Sequence, residues 1–399
     1  MDTGQKKEIM KMKKLISIFL VVINVFLFVS CGSSGVKLDV EDELNKMKTD
    51  NNIYYSENED YSSIVKWLKY EFEENDIRGT VIVATDDEVL FAAGARLLDV
   101  DGNEVTPFTT YEIGSCSKAF VGVCIMKLVE DGKLKLTDTL GDIYPAFSSY
   151  PNFEKVSKIT VSDLLHMRTG LIDYVNHPDL FLGEDRIHEI FGPNPTDIPW
   201  AEAYSKMEKI IDDELFLELI FKNEMTIEPN VEYSYNNSNY HLLSLIVENV
   251  SGKSYEEYIN EVIFEPCKMT STSAVSSEPV TASFKYDPEL DYLKDPEFLM
   301  GAGDIHTNAV DLIKFDRALF GGYLLNEESM KEIYNFIDGY SCGWENEMGY
   351  ISHRGAIPRF QTSNSILEKD GKKLYVITFS NLGEDKSSLI IQNVDRMFS

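Results

Sequence analysis

The sequence predicts an α/β protein of the α+β type: a mostly antiparallel sheet flanked by N- and C-terminal helices, with a helical subdomain inserted within about 120–300. Three observations predict it. Strand-like apolar runs cluster at 79–94 and return after 348, patterns at helical spacing fill the stretch between them, and a helical pattern stands at each end. Strands at both ends of a helical middle imply one sheet completed by the C-terminal segment, with a cleft where sheet and insertion meet. With 399 residues, 43% of them hydrophobic, the chain is long and apolar enough to bury a large core.

The elements follow in order. Lys11, Lys13 and Lys14 precede an apolar run from Leu15 to Val29, and Ser30-Cys31-Gly32 comes next. A run of about fifteen residues is short for a membrane span and fits the apolar part of a signal peptide over 1–30. Leu27-Phe28-Val29-Ser30-Cys31 resembles a bacterial lipoprotein signal, which implies lipidation of Cys31 and a position outside the cytoplasm, anchored to the membrane. An uncleaved anchor is the alternative, and Met12-Lys13-Lys14 offers a second translation start. Residues 31–60 are polar and acidic and read as a flexible tether, leaving 61–399 as the folded domain.

A first helix is expected over 61–74, with Ile64, Val65, Trp67, Leu68 and Phe72 on one side. Strands over 79–84 and 89–94 flank an Asp86-Asp87 turn. Phe120, Val121, Val123, Cys124, Met126, Leu128 and Val129 recur at helical spacing, so a helix starts at or beside Ser115 and stops near Gly132. Further helices are expected over 161–167, 212–221 and 241–250. The stretch 173–200, rich in Pro, Gly, His and Asp, reads as an irregular surface insertion. Strands over 350–353, 362–367 and 374–380 and a helix over 386–397 close the chain.

Charge and composition narrow the function. A net charge of −30 argues against nucleic acid as a partner, since no Lys/Arg run could neutralise phosphates. Five cysteines (31, 116, 124, 267, 342) form no disulfide framework and no Cys-x-x-Cys pair, and the six histidines form no His-Glu-x-x-His. These spacings argue against a metalloenzyme.

The candidate chemistry centres on Ser115 and Lys118. Residues three apart on a helix share a face, so the lysine lies one turn on from the hydroxyl. A serine is a poor nucleophile until a base takes its proton, and a lysine can serve where burial lowers its pKa. Two other Ser-x-x-Lys matches, Ser34/Lys37 and Ser63/Lys66, fall in a polar linker and on an amphipathic helix and read as incidental. Cys116, one residue past the serine, points about 100° away around a helix and reads as packing. Tyr235 and Asn237 stand on a loop before the 241–250 helix; they could relay a proton and hold Lys118, or simply cap turns. His353-Arg354-Gly355-Ala356 ends a strand. Beside the nucleophile it could supply an oxyanion hole from the N–H groups of Ser115 and Ala356, a glycine that admits substrate, and a polar His353 able to carry positive charge.

Ser-x-x-Lys, Tyr-x-Asn and His-x-Gly in this order resemble the serine penicillin-recognising enzymes of the class C β-lactamase and DD-peptidase type. The flanks 128–138, 159–165, Thr169-Gly170-Leu171 and Gly301-Ala302-Gly303-Asp304-Ile305 resemble the family too, and the similarity covers roughly 61–399. The resemblance implies a β-lactamase/transpeptidase-like fold, acylation of Ser115, and proton transfer shared by Lys118 and Tyr235. It also implies a site lined by Asn237, His353, Gly355 and Ala356, and no metal or cofactor. Three positions depart from the pattern: Asn236 replaces a serine, His353 a lysine usual in β-lactamases, and Arg359 a glycine. The expected function is an extracytoplasmic serine hydrolase acting on a D-amino-acid-containing cell-wall peptide. A β-lactamase or carboxylesterase is the alternative within the same chemistry, and a non-catalytic receptor for wall fragments or antibiotics the alternative outside it. The expected partners are a small peptide, ester or β-lactam substrate and the membrane, through the lipid anchor.

Overall fold

Alternating apolar positions at the two ends of the chain meet in one antiparallel sheet of nine strands. These are β1 (Lys48–Asp50), β2 (Ile53–Tyr55), β3 (Gly79–Thr85), β4 (Val89–Ala95), β5 (Tyr340–Ser341), β6 (Trp344–Glu347), β7 (Tyr350–Ala356), β8 (Phe360–Lys369) and β9 (Lys372–Asn381). Their spatial order is β1-β2-β4-β3-β9-β8-β7-β6-β5. The computed structural model describes residues 35–398 apart from Asp76, Val100, 192–205, 208–209, 275–281, 284–295, Met348, 358–359 and 382–385. The proposed signal segment 1–30, Cys31 and Arg359 therefore lie outside the described residues.

The C-terminal segment completes the sheet: β9 pairs with β3 from Leu374 opposite Thr85 to Phe379 opposite Thr80. Side chains alternate across a strand, so each strand feeds two cores. Val81, Val83, Leu374 and Val376 pack with Ile64, Leu68 and Phe72 of helix α1 (Ser62–Glu74) and Ile390 and Val394 of the C-terminal helix Ser387–Met397. On the other face lies the helix Ala309–Phe320, whose Phe315 stacks on Phe120 at 3.9 Å. Phe120 belongs to α2 (Lys118–Glu130), which is buried on nearly every side.

Three elements differ from the sequence expectation. The chain folds from Lys37 on, so 37–60 is not a tether. Val40–Lys46 is a helix with Val40 and Leu44 buried, and β1 and β2 extend the sheet beyond β4. The acidic residues that suggested a solvated linker instead pair with distant cations: Asp39 with Lys268, Glu41 with Lys314, and Glu43 with Arg317. The stretch after 173 is no mere surface insertion either. It contains helices Pro178–Leu182 and Glu184–Phe191, and Asp173, Tyr174, Phe181 and Ile187 are buried; 192–200 lie outside the described residues. The helix expected from 241 starts earlier, as α3 (Asn237–Ser251), because Asn236 caps it: its Oδ1 accepts from Ser238 N at 2.8 Å. No helix among the described residues is long and apolar enough to cross a membrane.

Candidate active site

Ser115 sits in a 3₁₀ turn, Gly114–Ser117, that leads directly into α2. Three residues make one turn of that geometry, so Ser115 and Lys118 line up as the spacing requires. Gly114 holds a left-handed φ of +51°, and a Cβ there would come within 3.2 Å of Ala356 N. The turn can press against β7 only with glycine at this position. Ser115 keeps partial exposure, whereas Cys116 is buried and its Sγ donates to His353 O at 3.3 Å, with burial pushing the thiol pKa up.

Lys118 is fully buried. Its Nζ donates to Ala302 O at 2.6 Å and Asn237 Oδ1 at 2.9 Å, and lies 3.0 Å from Ser115 Oγ. Burial strips water from the ammonium and pulls its pKa down to about 7, against the raising charges of Asp173 and Asp304 among others. A neutral amine has two N–H bonds and one lone pair. Two of its three neighbours are carbonyl oxygens, which only accept, so the lone pair is left facing the Ser115 hydroxyl.

Asn237 is oriented by Asp173, whose Oδ2 accepts from both its backbone N and its Nδ2 at 3.0 Å. That turns the Asn237 carbonyl oxygen toward Lys118. Asp173 in turn accepts from Val175 N and Asn176 N, which rigidify its own turn. Asn236 takes the capping role instead, its Nδ2 donating to Leu171 O. In this Asn-rich loop, holding Lys118 and capping thus fall to adjacent residues, Asn237 and Asn236. Tyr235 is half-buried, with its ring 5.0 Å from Lys118 Nζ. Burial pushes its phenol pKa well above the usual value, and the nearby Ser115 side chain works the other way. At neutral pH it is a phenol, not a phenolate.

The strand side is β7. Gly355 is required, because a Cβ there would meet Ile113 O at 1.8 Å and Ser115 N at 3.1 Å. The glycine admits the nucleophile turn itself, where the sequence suggested room for substrate. Ile357 N donates to Phe360 O at 3.1 Å. Bonded and non-bonded pairs alternate along an antiparallel ladder, so Ala356, opposite Gln361, directs its N–H away from β8. That is the edge against which the Gly114–Ser117 turn lies.

His353 lies 6.1 Å, centroid to centroid, from Tyr235, but it is not a cation. It is 2% exposed, and burial together with the Lys118 charge pushes its pKa down to about 3. Nδ1 faces Arg354 O at 2.8 Å, an acceptor, so the ring proton sits there and Nε2 accepts from Tyr340 OH at 3.3 Å.

Sequence reasoning missed three contributors: the Ala302 carbonyl, Asp173 and the buried Asp304. The first has no side-chain signature, and the second was hidden in a stretch that looked like loop. Among the described residues no group of three His, Cys, Asp or Glu could hold a metal ion.

Comparison with known proteins follows this geometry. The profile of the Beta-lactamase family matches residues 65–381. The putative penicillin-binding protein PbpX of Bacillus subtilis (strain 168) is 28% identical over 317 residues, covering 76% of this chain and 70% of that protein. Two solved structures share the fold. The D-stereospecific amidohydrolase from Streptomyces sp. superposes with a TM-score of 0.63 at 20% identity, covering 83% of this chain and 97% of the other. The D-amino acid amidase from Ochrobactrum anthropi SV3, complexed with D-phenylalanine, gives 0.61 at 21%, covering 85% and 98%.

Proposed function

The chain belongs to the beta-lactamase family, and on that premise we propose that it is a serine hydrolase carrying an acyl group from an amide or ester to Ser115 and then to water. The observation that carries this reading is the buried Lys118 amine, with two carbonyl acceptors and the Ser115 hydroxyl as its hydrogen-bonding neighbours. The Ser115 proton passes to the Lys118 lone pair as Oγ bonds to the substrate carbonyl carbon. The oxygen that becomes negative faces the N–H groups of Ser115 and Ala356. Tyr235, protonated and beside Ser115, hands a proton to the leaving nitrogen or oxygen as its bond to carbon breaks, and Lys118 restores it. Water then attacks the acyl-Ser115 ester by the same path in reverse.

The substrate class in this reading is a D-amino-acid-containing peptide of the cell wall. It is supported by the kinship with a putative penicillin-binding protein and by the names of the two structural neighbours, a D-stereospecific amidohydrolase and a D-amino acid amidase. An export signal ending at Cys31, with a lipid anchor there, would put the enzyme beside that substrate. A second reading has one observation in its favour. Neutral, buried His353 offers no positive charge to a substrate carboxylate, which favours amides and esters over substrates ending in a free carboxylate.

The test is turnover by the full chain of D-phenylalanine amide, a peptide ending in D-Ala-D-Ala, p-nitrophenyl acetate and a chromogenic cephalosporin, each beside Ser115→Ala. Hydrolysis that disappears in the variant supports the enzyme. Preference for the D-Ala-D-Ala peptide supports the wall-peptide reading, and preference for the amide or ester supports the second. Binding of wall fragments without any turnover would point to the receptor.

A further inference from the structure

We propose that Asp304 is a positioning residue for this reaction, a buried counter-charge behind Lys118 that sets how readily the amine gives up its proton. The inference rests on Lys118 serving as base for Ser115. Asp304 is 1% exposed, and neither of its carboxyl oxygens makes a well-formed hydrogen bond; the nearest donors are the backbone N–H groups of Gly301 and of Asp304 itself. Such a group is costly to bury and has no evident part in holding the fold.

Its place is fixed from both sides. Two residues before it, Ala302 O accepts from Lys118 Nζ; one residue after it, Ile305 N donates to Ser117 Oγ at 3.0 Å and Ile305 O accepts from Ile113 N at 3.0 Å. Gly303 packs on Gly114, where an added Cβ would come within 3.4 Å of the Gly114 carbonyl carbon. The segment 302–305 is therefore fastened to the nucleophile turn, with the Asp304 carboxyl turned inward under α2. The titratable groups that face it are Lys118 and Cys124 of α2 and Tyr255 of the helix Tyr255–Ile259. Burial raises the pKa of Cys124 and of Tyr255, which keeps both neutral, so Lys118 is the cation among these facing groups.

The two groups therefore answer to one another. Burial pushes Asp304 up to about 7, with the backbone N–H groups of Gly301 and Asp304 and then Lys118 pulling it back; burial pulls Lys118 down to about 7, with Asp173, Cys116, Asp304 and Glu345 opposing in that order. The Asp304 and Lys118 charges favour one another. An ionised Asp304 holds the proton on Lys118, and removing that charge must free the amine at lower pH.

The experiment is kcat/KM for p-nitrophenyl acetate against pH, on the full chain and on Asp304→Asn, with folding checked by circular dichroism. The limb that rises from acid pH should move down by about one pH unit in Asp304→Asn. It should stay at the parent's position in Asp304→Glu, which keeps the charge. A structural role would lower kcat/KM at every pH and leave the limb in place, and that result overturns the proposal. Should Asp304→Asn fail to fold, Asp304→Ser, equally uncharged and smaller, is read for the same limb. Failure of the serine-hydrolase reading looks different: the parent then shows no Ser115-dependent hydrolysis, and this proposal falls with it.

Discussion

Lys118 and Lys314 are buried alike, 0% and 1% exposed, on helices whose Phe120 and Phe315 stack face to face, yet their ammonium groups keep different company. Lys314 lies directly against carboxylates, 2.8 Å from Asp311 Oδ1 and in an ion pair with Glu41. One helical turn on, buried Arg317 is gripped by both oxygens of Glu43, at 2.7 and 3.2 Å. Among the described residues no carboxylate is in hydrogen-bonding contact with Lys118. It meets two carbonyl oxygens and a hydroxyl, while the Asp173 carboxylate is bridged to it by Asn237 and acts on it through its charge. Direct contact with an anion offsets the loss of water and fixes a cation in place. Carbonyl dipoles offset less of that loss, and the amine is left close to giving up its proton. The first arrangement ties the N-terminal segment to the fold. The second is what the proposed reaction asks of a base.

Substitutions on either side put this contrast to the test. The largest effect is at the centre: Ser115→Ala should bring hydrolysis down to background, measured by steady-state turnover. Lys118→Met, which keeps length and burial but has no lone-pair nitrogen, should cost about 10²–10⁴-fold in kcat/KM with the folded state intact by circular dichroism. On the other side of the comparison, Glu43→Ala leaves Arg317 buried without its partner. It should cost about 3 kcal/mol in chemical denaturation while turnover per folded molecule stays at the parental level. Asn236→Ala removes a helix cap beside Asn237 and should cost about 1 kcal/mol with kcat/KM nearly unchanged. The subtlest test varies no residue. A base is active when unprotonated, so kcat/KM of the parent should rise with pH through about 7, where Lys118 loses its proton, and level off above it.

What the sequence made legible divides along the same line. Ser115 and Lys118 could be read because their relation is local, a spacing of three within one turn. The strands expected within 79–94 and 350–380 and six of the helices, from Ser62–Glu74 to Ser387–Met397, followed from periodicity, whereas the buried helix Ala309–Phe320 did not. Tyr235 and Asn237 were ambiguous because capping and catalysis use the same residue types, and only Asp173, far from them in sequence, separates the two. The charge of His353 depended on burial beneath Tyr340, which no local pattern records. The acidic stretch 37–60 looked like solvated chain for the same reason: its partners, Lys268, Lys314 and Arg317, lie far down the sequence. Local geometry was readable, and the surroundings that set charge were not.

The most direct test of the account is the intact mass of the full chain after acid quench from benzylpenicillin and, in parallel, from p-nitrophenyl acetate, with Ser115→Ala alongside. The account predicts an acyl adduct from at least one of the two, mapped to Ser115, absent from the variant, and formed more slowly at pH 6 than at pH 8. The same adduct on Ser115→Ala, or none from either reagent on well-folded parent, would contradict it.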